Sequence, residues 1–436
     1  MDKNNKKVIN AWCSYDIANS AYNLIITTAL FPLYYQEVTK KAFNSEIVNF
    51  LGVSIKNTVL YDYTLASAYF LIIILSPILS GIADYGGFRK RLMQFFTFIG
   101  SISCFLMYWF HGNNLNFGII LAALAVIGYA GSLVYYNSFL PVIATSDRHD
   151  RISAKGFSWG YAGSMILLII NLITIENYKW FGFAGKLDAL RFSFLEVGFW
   201  WIMVAQIAFY YLQDHSVHGN FKLNFITKGY KEILLVFSKV RKQPVIKPFL
   251  LAFFFFSMGV QTVILVASLF GSAELGITGS KLIITIIIIQ ILGIIGSTIF
   301  AEVSTMQGNK FSLSLMLIIW IAVCVAAYFI KTDYEFFAIA AAVGLVMGGI
   351  QSQARSTYAK LIPSDSNDTS SYFSFYDITE KAAIVAGMFS FGFIEQITGS
   401  MRNSALSLAS FFVISLAVII TTKFPKMQRI TNKYNK

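Results

Sequence analysis

Charge is what this chain has least of. Charged side chains make up 13% of its 436 residues, against 56% hydrophobic and 16% aromatic. Ordinary soluble domains carry roughly 25% charged residues. With so few charges a folded chain cannot cover a water-facing surface, which excludes a soluble enzyme of two or three domains. Cysteine is also scarce. Cys13, Cys104 and Cys324 fall far apart in apolar runs, without a CxxC, so there is no disulfide scaffold. The four histidines, His111, His149, His215 and His218, lie in polar connections. The last two are spaced i,i+3, and we expect an exposed loop pair there and no metal site. A Walker A sequence and a strand–glycine–helix fingerprint are both missing, so ATP hydrolysis and dinucleotide binding are not expected. The reading assigns no cofactor, no catalytic residue and no nucleic-acid partner. The excess of 34 Lys and Arg over 22 Asp and Glu is instead informative through its placement.

What the chain has is apolar length. Its mean hydropathy of +0.62 belongs to a protein solvated largely by lipid. A bilayer-crossing helix needs about 20 apolar residues. Twelve stretches qualify: 11–35, 61–83, 92–110, 117–144, 157–175 and 194–212, then 248–270, 282–301, 311–330, 336–358, 375–397 and 404–422. The expected fold is an all-α polytopic membrane protein with twelve transmembrane helices in two six-helix bundles. The bundles are 1–213 and 248–436. Between them lies a basic cytoplasmic linker, 214–247, whose 219–242 part suits an amphipathic surface helix. With both termini inside, the inner segments hold 24 Lys and Arg and the outer ones 9, a positive-inside distribution. The tail 423–436 alone contributes five. A signal peptide is rejected, because the first apolar stretch is long and carries Asp16, Asn19 and Asn23.

Polar groups inside spans are costly unless they face protein or water, which makes them functional candidates. Asp16, Asn19, Ser20 and Asn23 follow i, i+3, i+4, i+7 and share one stripe. They line a central cavity or gate, where Asp16 meets a cation or amino group, or they form a helix–helix network near the cytoplasmic end. In the eleventh span Asp377 and Lys381 are spaced to pair, while the adjacent Glu380 and Lys381 do not face each other. Glu380 is then a gating or proton-coupling group, or part of a structural ion pair. Asn137, Asn171, Gln206, Gln261 and Gln290 are weaker neutral candidates. Glycines of the fifth, eighth and tenth spans favour close helix packing.

The turn after the second span reads Ser80-Gly-Ile-Ala-Asp-Tyr-Gly-Gly-Phe-Arg-Lys-Arg91. Asp84 ends one helix, Gly87 allows a tight turn, and Arg89 and Lys90 open the next. A carboxylate here can hold neighbouring helix ends and act as a conformational latch.

This turn and the six-plus-six layout resemble the major facilitator superfamily, with Tyr85 and Phe88 replacing basic residues of its common motif. Ala301-Glu302 and Gly308-Asn309-Lys310 form a degenerate echo in the second half. The chain more closely resembles the branch of the vacuolar amino-acid effluxer and its bacterial relatives. The resemblance rests on Tyr15-Asp16-Ile17-Ala18-Asn19-Ser20-Ala21, on Tyr136-Asn137-Ser138-Phe139-Leu140-Pro141, and on Gln351, Arg355, Ser356 and Lys381. It implies secondary active transport of a small solute by alternating access, with amino acids and protons as expected partners besides membrane lipid. Asp16, Asn19, Asn23, Asn137, Arg355, Glu380 and Lys381 are then substrate or gate residues, and Asp16 and Glu380 the proton-coupling candidates. A monomer in a bacterial plasma membrane, both termini cytoplasmic, completes the expectation. The alternatives are a non-transporting receptor or scaffold, a lipid enzyme, or a passive facilitator of another solute.

Overall fold

The computed structural model describes residues 2–214, 225–277, 280–363 and 366–424. His215 and His218, and the C-terminal tail from residue 425, lie outside the described residues. Among the described residues fifteen α-helices follow one another. In the first half these are α1 (Lys6–Ala21), α2 (Phe31–Phe43), α3 (Asn57–Gly86), α4 (Arg89–Leu106), α5 (Leu115–Ser138), the short α6 (Leu140–Ile143), α7 (His149–Glu176) and α8 (Lys186–Tyr211). Then come α9 (Phe225–Lys242), α10 (Ile246–Leu275), α11 (Ser280–Gln307), α12 (Asn309–Phe329), α13 (Asp333–Leu361), α14 (Thr369–Thr398) and α15 (Met401–Thr421).

Among the described residues, ten of these helical stretches are long and apolar enough to cross a membrane. The chain is thus a polytopic, almost wholly helical membrane protein. The two expected spans outside that set are the most polar. One is interrupted: α1 runs through a π-helical segment, Tyr22–Leu30, into α2. The other, α14, carries Asp377, Glu380 and Lys381 in mid-helix. The all-helical expectation also missed a small antiparallel hairpin, β1 (Ile47–Phe50) with β2 (Val53–Lys56), where Phe50 pairs with Val53.

Helix ends follow local chemistry. α3 stops at Gly87, whose φ of +69° is open to glycine without strain, and its N–H returns to the Ala83 carbonyl. α13 starts in a capping box between Thr332 and Glu335. Within the first half α1 packs on α7 and α8, and α4 on α5; within the second, α10 packs on α14 and α15, and α11 on α13. The α11–α13 seam is closed by glycines. A Cβ on Gly296 would lie 1.8 Å from the Leu345 carbonyl oxygen, so only glycine allows this backbone approach.

The halves meet through α7 against α11 and α13, and through α3 and α5 against α14. The helix α9 lies within the expected amphipathic stretch. It buries Ile233, Val236 and Val240, spaced on one face, and packs on α3, α10 and α14. The three cysteines are free and buried.

Candidate functional site

A chamber of about 590 Å³ lies between the halves. Asp16, Asn19, Ser20 and Asn23 all line it, in the stripe that their spacing defines. Asn23 falls in the π-helical segment, where Thr28 Oγ1 donates to the Asn23 carbonyl at 3.0 Å. Such segments shift the register of side chains below them and recur at functional sites. Asn137, Gln261, Gln290, Arg355, Glu380 and Lys381 also face the chamber, whereas Asn171 and Gln206 do not. Asn171 instead donates to Glu196 at 2.6 Å, and Gln206 bonds the carbonyl one turn back.

The floor of the chamber is an ion pair between the halves. Arg355 Nη2 and Nη1 stand 3.2 and 3.3 Å from Asp16 Oδ2, and both side chains are buried. Tyr136 donates its hydroxyl to the same oxygen at 2.6 Å. The rest of the guanidinium donates to Ser153 Oγ, to the Ser153 carbonyl and to Asn137 Oδ1. It also lies over the rings of Phe157 and Trp12, at 4.3 and 4.7 Å. Gly156 makes room for the pair, since a Cβ there would stand 2.4 Å from Asp16 Oδ2. Cavity group and network member, the two readings of Asp16, therefore describe the same carboxylate.

Two further polar clusters close the same end, here called the linker end. Asp84, buried, accepts from the Ser370 and Ser371 backbone N–H groups at 3.1 and 2.6 Å. These are unpaired donors in the first turn of α14, where a carboxylate also meets the positive end of the helix dipole. Arg89 Nη2 stands 3.2 Å from Asp84, and Arg89 Nε donates to Ser370 Oγ at 2.9 Å. Arg89 thus replaces the displaced charge of the common motif. Lys90 differs from expectation: it joins the cluster through its backbone N–H, donated to Asp214 Oδ1. Burial raises the Asp214 carboxyl above its ordinary value, and the backbone bonds from Lys90 and Arg91 oppose the rise.

Sequence reasoning passed over the second cluster. Asp150, in the first turn of α7, is buried and accepts from Lys360 Nζ at 2.5 Å, and from Ser304 and Asn309 at 2.9 Å each. The available signal was a carboxylate at a helix start, opposite the Asn309 echo. Of that echo, Asn309 takes part, whereas Glu302 makes an exposed pair with Arg151 and Lys310 donates to the Ile420 and Thr422 carbonyls.

Higher in the chamber, Lys381 Nζ stands 2.8 Å from Asp377 Oδ1 and 2.9 Å from Glu380 Oε2. The expected i,i+4 pair forms. The expectation that Glu380 and Lys381 do not face each other is corrected: a four-carbon stem lets one ammonium reach both carboxylates. Gln261 donates to Glu380 Oε1 at 3.2 Å. Asp62, also unassigned from sequence, lines the exposed end of the chamber with Tyr63. Among the described residues no group of three or more His, Cys, Asp or Glu side chains could hold a metal ion.

Two sets of helices around a chamber with charged groups in its lining, joined by charged contacts at one end, are the arrangement of the major facilitator fold. The fold is similar to that of a major facilitator superfamily transporter, FucP, solved in the outward conformation, with a TM-score of 0.70 at 13% identity, covering 96% of this chain and 99% of that one. The profile of the family described as vacuole effluxer Atg22 like matches residues 4–430, and the chain belongs to that family. It is 31% identical to an uncharacterized MFS-type transporter, YxiO, of Bacillus subtilis (strain 168), over 96% of this chain and 95% of the relative. It is 23% identical to autophagy-related protein 22 of Yarrowia lipolytica (strain CLIB 122 / E 150), over 86% and 76%.

Proposed function

We propose that the chain is a secondary transporter that moves a small solute across a bacterial plasma membrane by alternating access, with amino acids as the solute class and protons as the coupling ion. The observation that carries this reading is a chamber between the halves, sealed at the linker end and reaching exposed residues at the other. Its seals are ion pairs and helix-end contacts between the two halves. Contacts of that kind break and re-form as units, unlike a continuous apolar core.

The ten apolar helices, together with the α1–α2 unit and α14, make twelve crossings in two six-helix bundles, 1–213 and 248–436. The positive-inside charge distribution puts both termini and the linker 214–247 in the cytoplasm. The chamber is then open to the outside. Asp16, Asn19, Asn23, Asn137, Arg355, Glu380 and Lys381 serve as substrate or gate groups; Asp84, Gly87 and Arg89 serve as the latch. Asp16 and Glu380 each touch a cation, so taking up a proton loosens the contact and couples charge to conformation. In this reading the functional unit is a monomer.

The test is uptake of a mixed pool of labelled amino acids by proteoliposomes, with and without an inward proton gradient. Accumulation above equilibrium only with the gradient is expected. Absence of uptake in both conditions, by folded protein, would remove the amino-acid assignment.

A further inference from the structure

We infer that the solute is recognised by a positively charged amino group, and that a carboxylate on it is dispensable. This rests on the transporter reading above and narrows its substrate class. The charged groups lining the chamber are Asp16, Asp62 and Glu380 against Arg355 and Lys381. Asp377 stands directly behind Lys381, so four carboxylates share two cations. A cleft lined by an excess of one sign concentrates ions of the other, more strongly for its low-dielectric walls.

Both cations are already paired. Arg355 has five N–H donors. Asp16 takes two, Ser153 two through Oγ and its carbonyl, and Asn137 the fifth. Lys381 is held between Asp377 and Glu380. A solute carboxylate at Arg355 would have to displace one of these partners and strand a buried group, and at Lys381 it would meet an ammonium already shared by two carboxylates.

Acceptors, by contrast, are open. Glu380 is 22% exposed towards the chamber and holds only Lys381 and Gln261. Asp62 has no ion pair within 4.0 Å among the described residues. Gln290 Oε1, buried in the lining, has no hydrogen-bond partner. Tyr69, Tyr129 and Tyr376 add ring faces that attract a cation. Among the fully buried atoms of the lining, the donor left without a partner, Asn19 Nδ2, is neutral and suits a carbonyl or hydroxyl as well as a carboxylate.

The test is calorimetric titration of the full chain in lipid nanodiscs at one salt concentration. The probes are phenylalanine, phenethylamine and 3-phenylpropanoate, which share the aromatic body that Phe253, Phe256 and Tyr376 would meet. The expected result is that phenethylamine binds at least as tightly as phenylalanine, and 3-phenylpropanoate about a hundredfold more weakly or not at all. Glu380→Gln should weaken both amines about tenfold, and Glu380→Asp should restore most of that loss. Asp62→Asn, at an exposed position that tolerates change, repeats the test should Glu380→Gln not fold. Binding of phenylalanine without phenethylamine would overturn the inference and leave the transporter reading standing. So would equal affinity for 3-phenylpropanoate, or Glu380→Gln and Asp62→Asn variants that bind like the wild type. Binding of none of the three would overturn the inference, while the uptake assay above decides the amino-acid reading separately.

Discussion

Removing one partner of the Asp16–Arg355 pair should shift the transporter away from the state described here. With the linker end closed, both groups are buried and joined at 3.2 Å. Arg355→Gln leaves Asp16 charged and stranded in that state, a loss of about 3–5 kcal/mol for a buried pair. Once the linker end opens, water reaches Asp16 and the penalty falls away. The cost therefore belongs to one conformation. At about 1.4 kcal/mol per factor of ten, the ratio of closed to open linker ends drops by roughly two to three and a half decades.

A cysteine placed in the chamber wall at Ile264, half-buried in α10, reports this directly. The native cysteines are buried and give little background to a membrane-impermeant maleimide applied from the outside. Ile264→Cys should label in the parent and lose most of its labelling with Arg355→Gln or Asp16→Asn. The double variant strands no charge and should recover labelling. The gap between it and the summed single effects measures the coupling. Wild-type labelling in both single variants, with unfolding temperatures unchanged, would refute the pair as a state-specific contact.

The same reporter should respond to Asp84→Ala, which removes the acceptor for two N–H groups of α14 and for Arg89. At about 1.5–3 kcal/mol per hydrogen bond to a charged group, labelling should fall at least tenfold. Gly156→Ala places a carbon 2.4 Å from Asp16 Oδ2 and 2.9 Å from Arg355 Nη2. It should lower stability in a thermal unfolding assay by roughly 1–3 kcal/mol and abolish uptake. Gly296→Ala presses on the Leu345 carbonyl and should lower the unfolding temperature too, but without the change in labelling that gate variants produce.

The sequence exposed single helices well and their partners poorly, and the reason is physical. Periodicity fixes which face a residue occupies, so the Asp16 stripe and the Asp377–Lys381 pair could be read from spacing alone. It cannot say what that face meets. Asp16 and Arg355 are 339 positions apart, and Asp150 and Lys360 are 210 apart. Only the docking of α1 and α7 against α13 brings them together. Spacing was also misleading where side-chain length decides, as when Lys381 reaches both of its acidic neighbours. The π-helical segment left no trace in composition, because its apolar residues suit an α-helix equally well.

α1 with its π-helical continuation and α14 both line the chamber, and both fall outside the set of long apolar helices, α1 because the π-helical segment interrupts it and α14 because of its charges. Each trades lipid solubility for carboxylates and amides turned towards the chamber. That trade is tolerable only where another helix or water meets every such group. Arg355, Tyr136 and Ser153 supply those partners at the floor. Asp84 and Arg89 supply them where α14 begins. Stability and gating here depend on the same atoms. Substitutions that silence transport should therefore divide by whether they strand a charge or remove one cleanly, and not by their distance from the chamber.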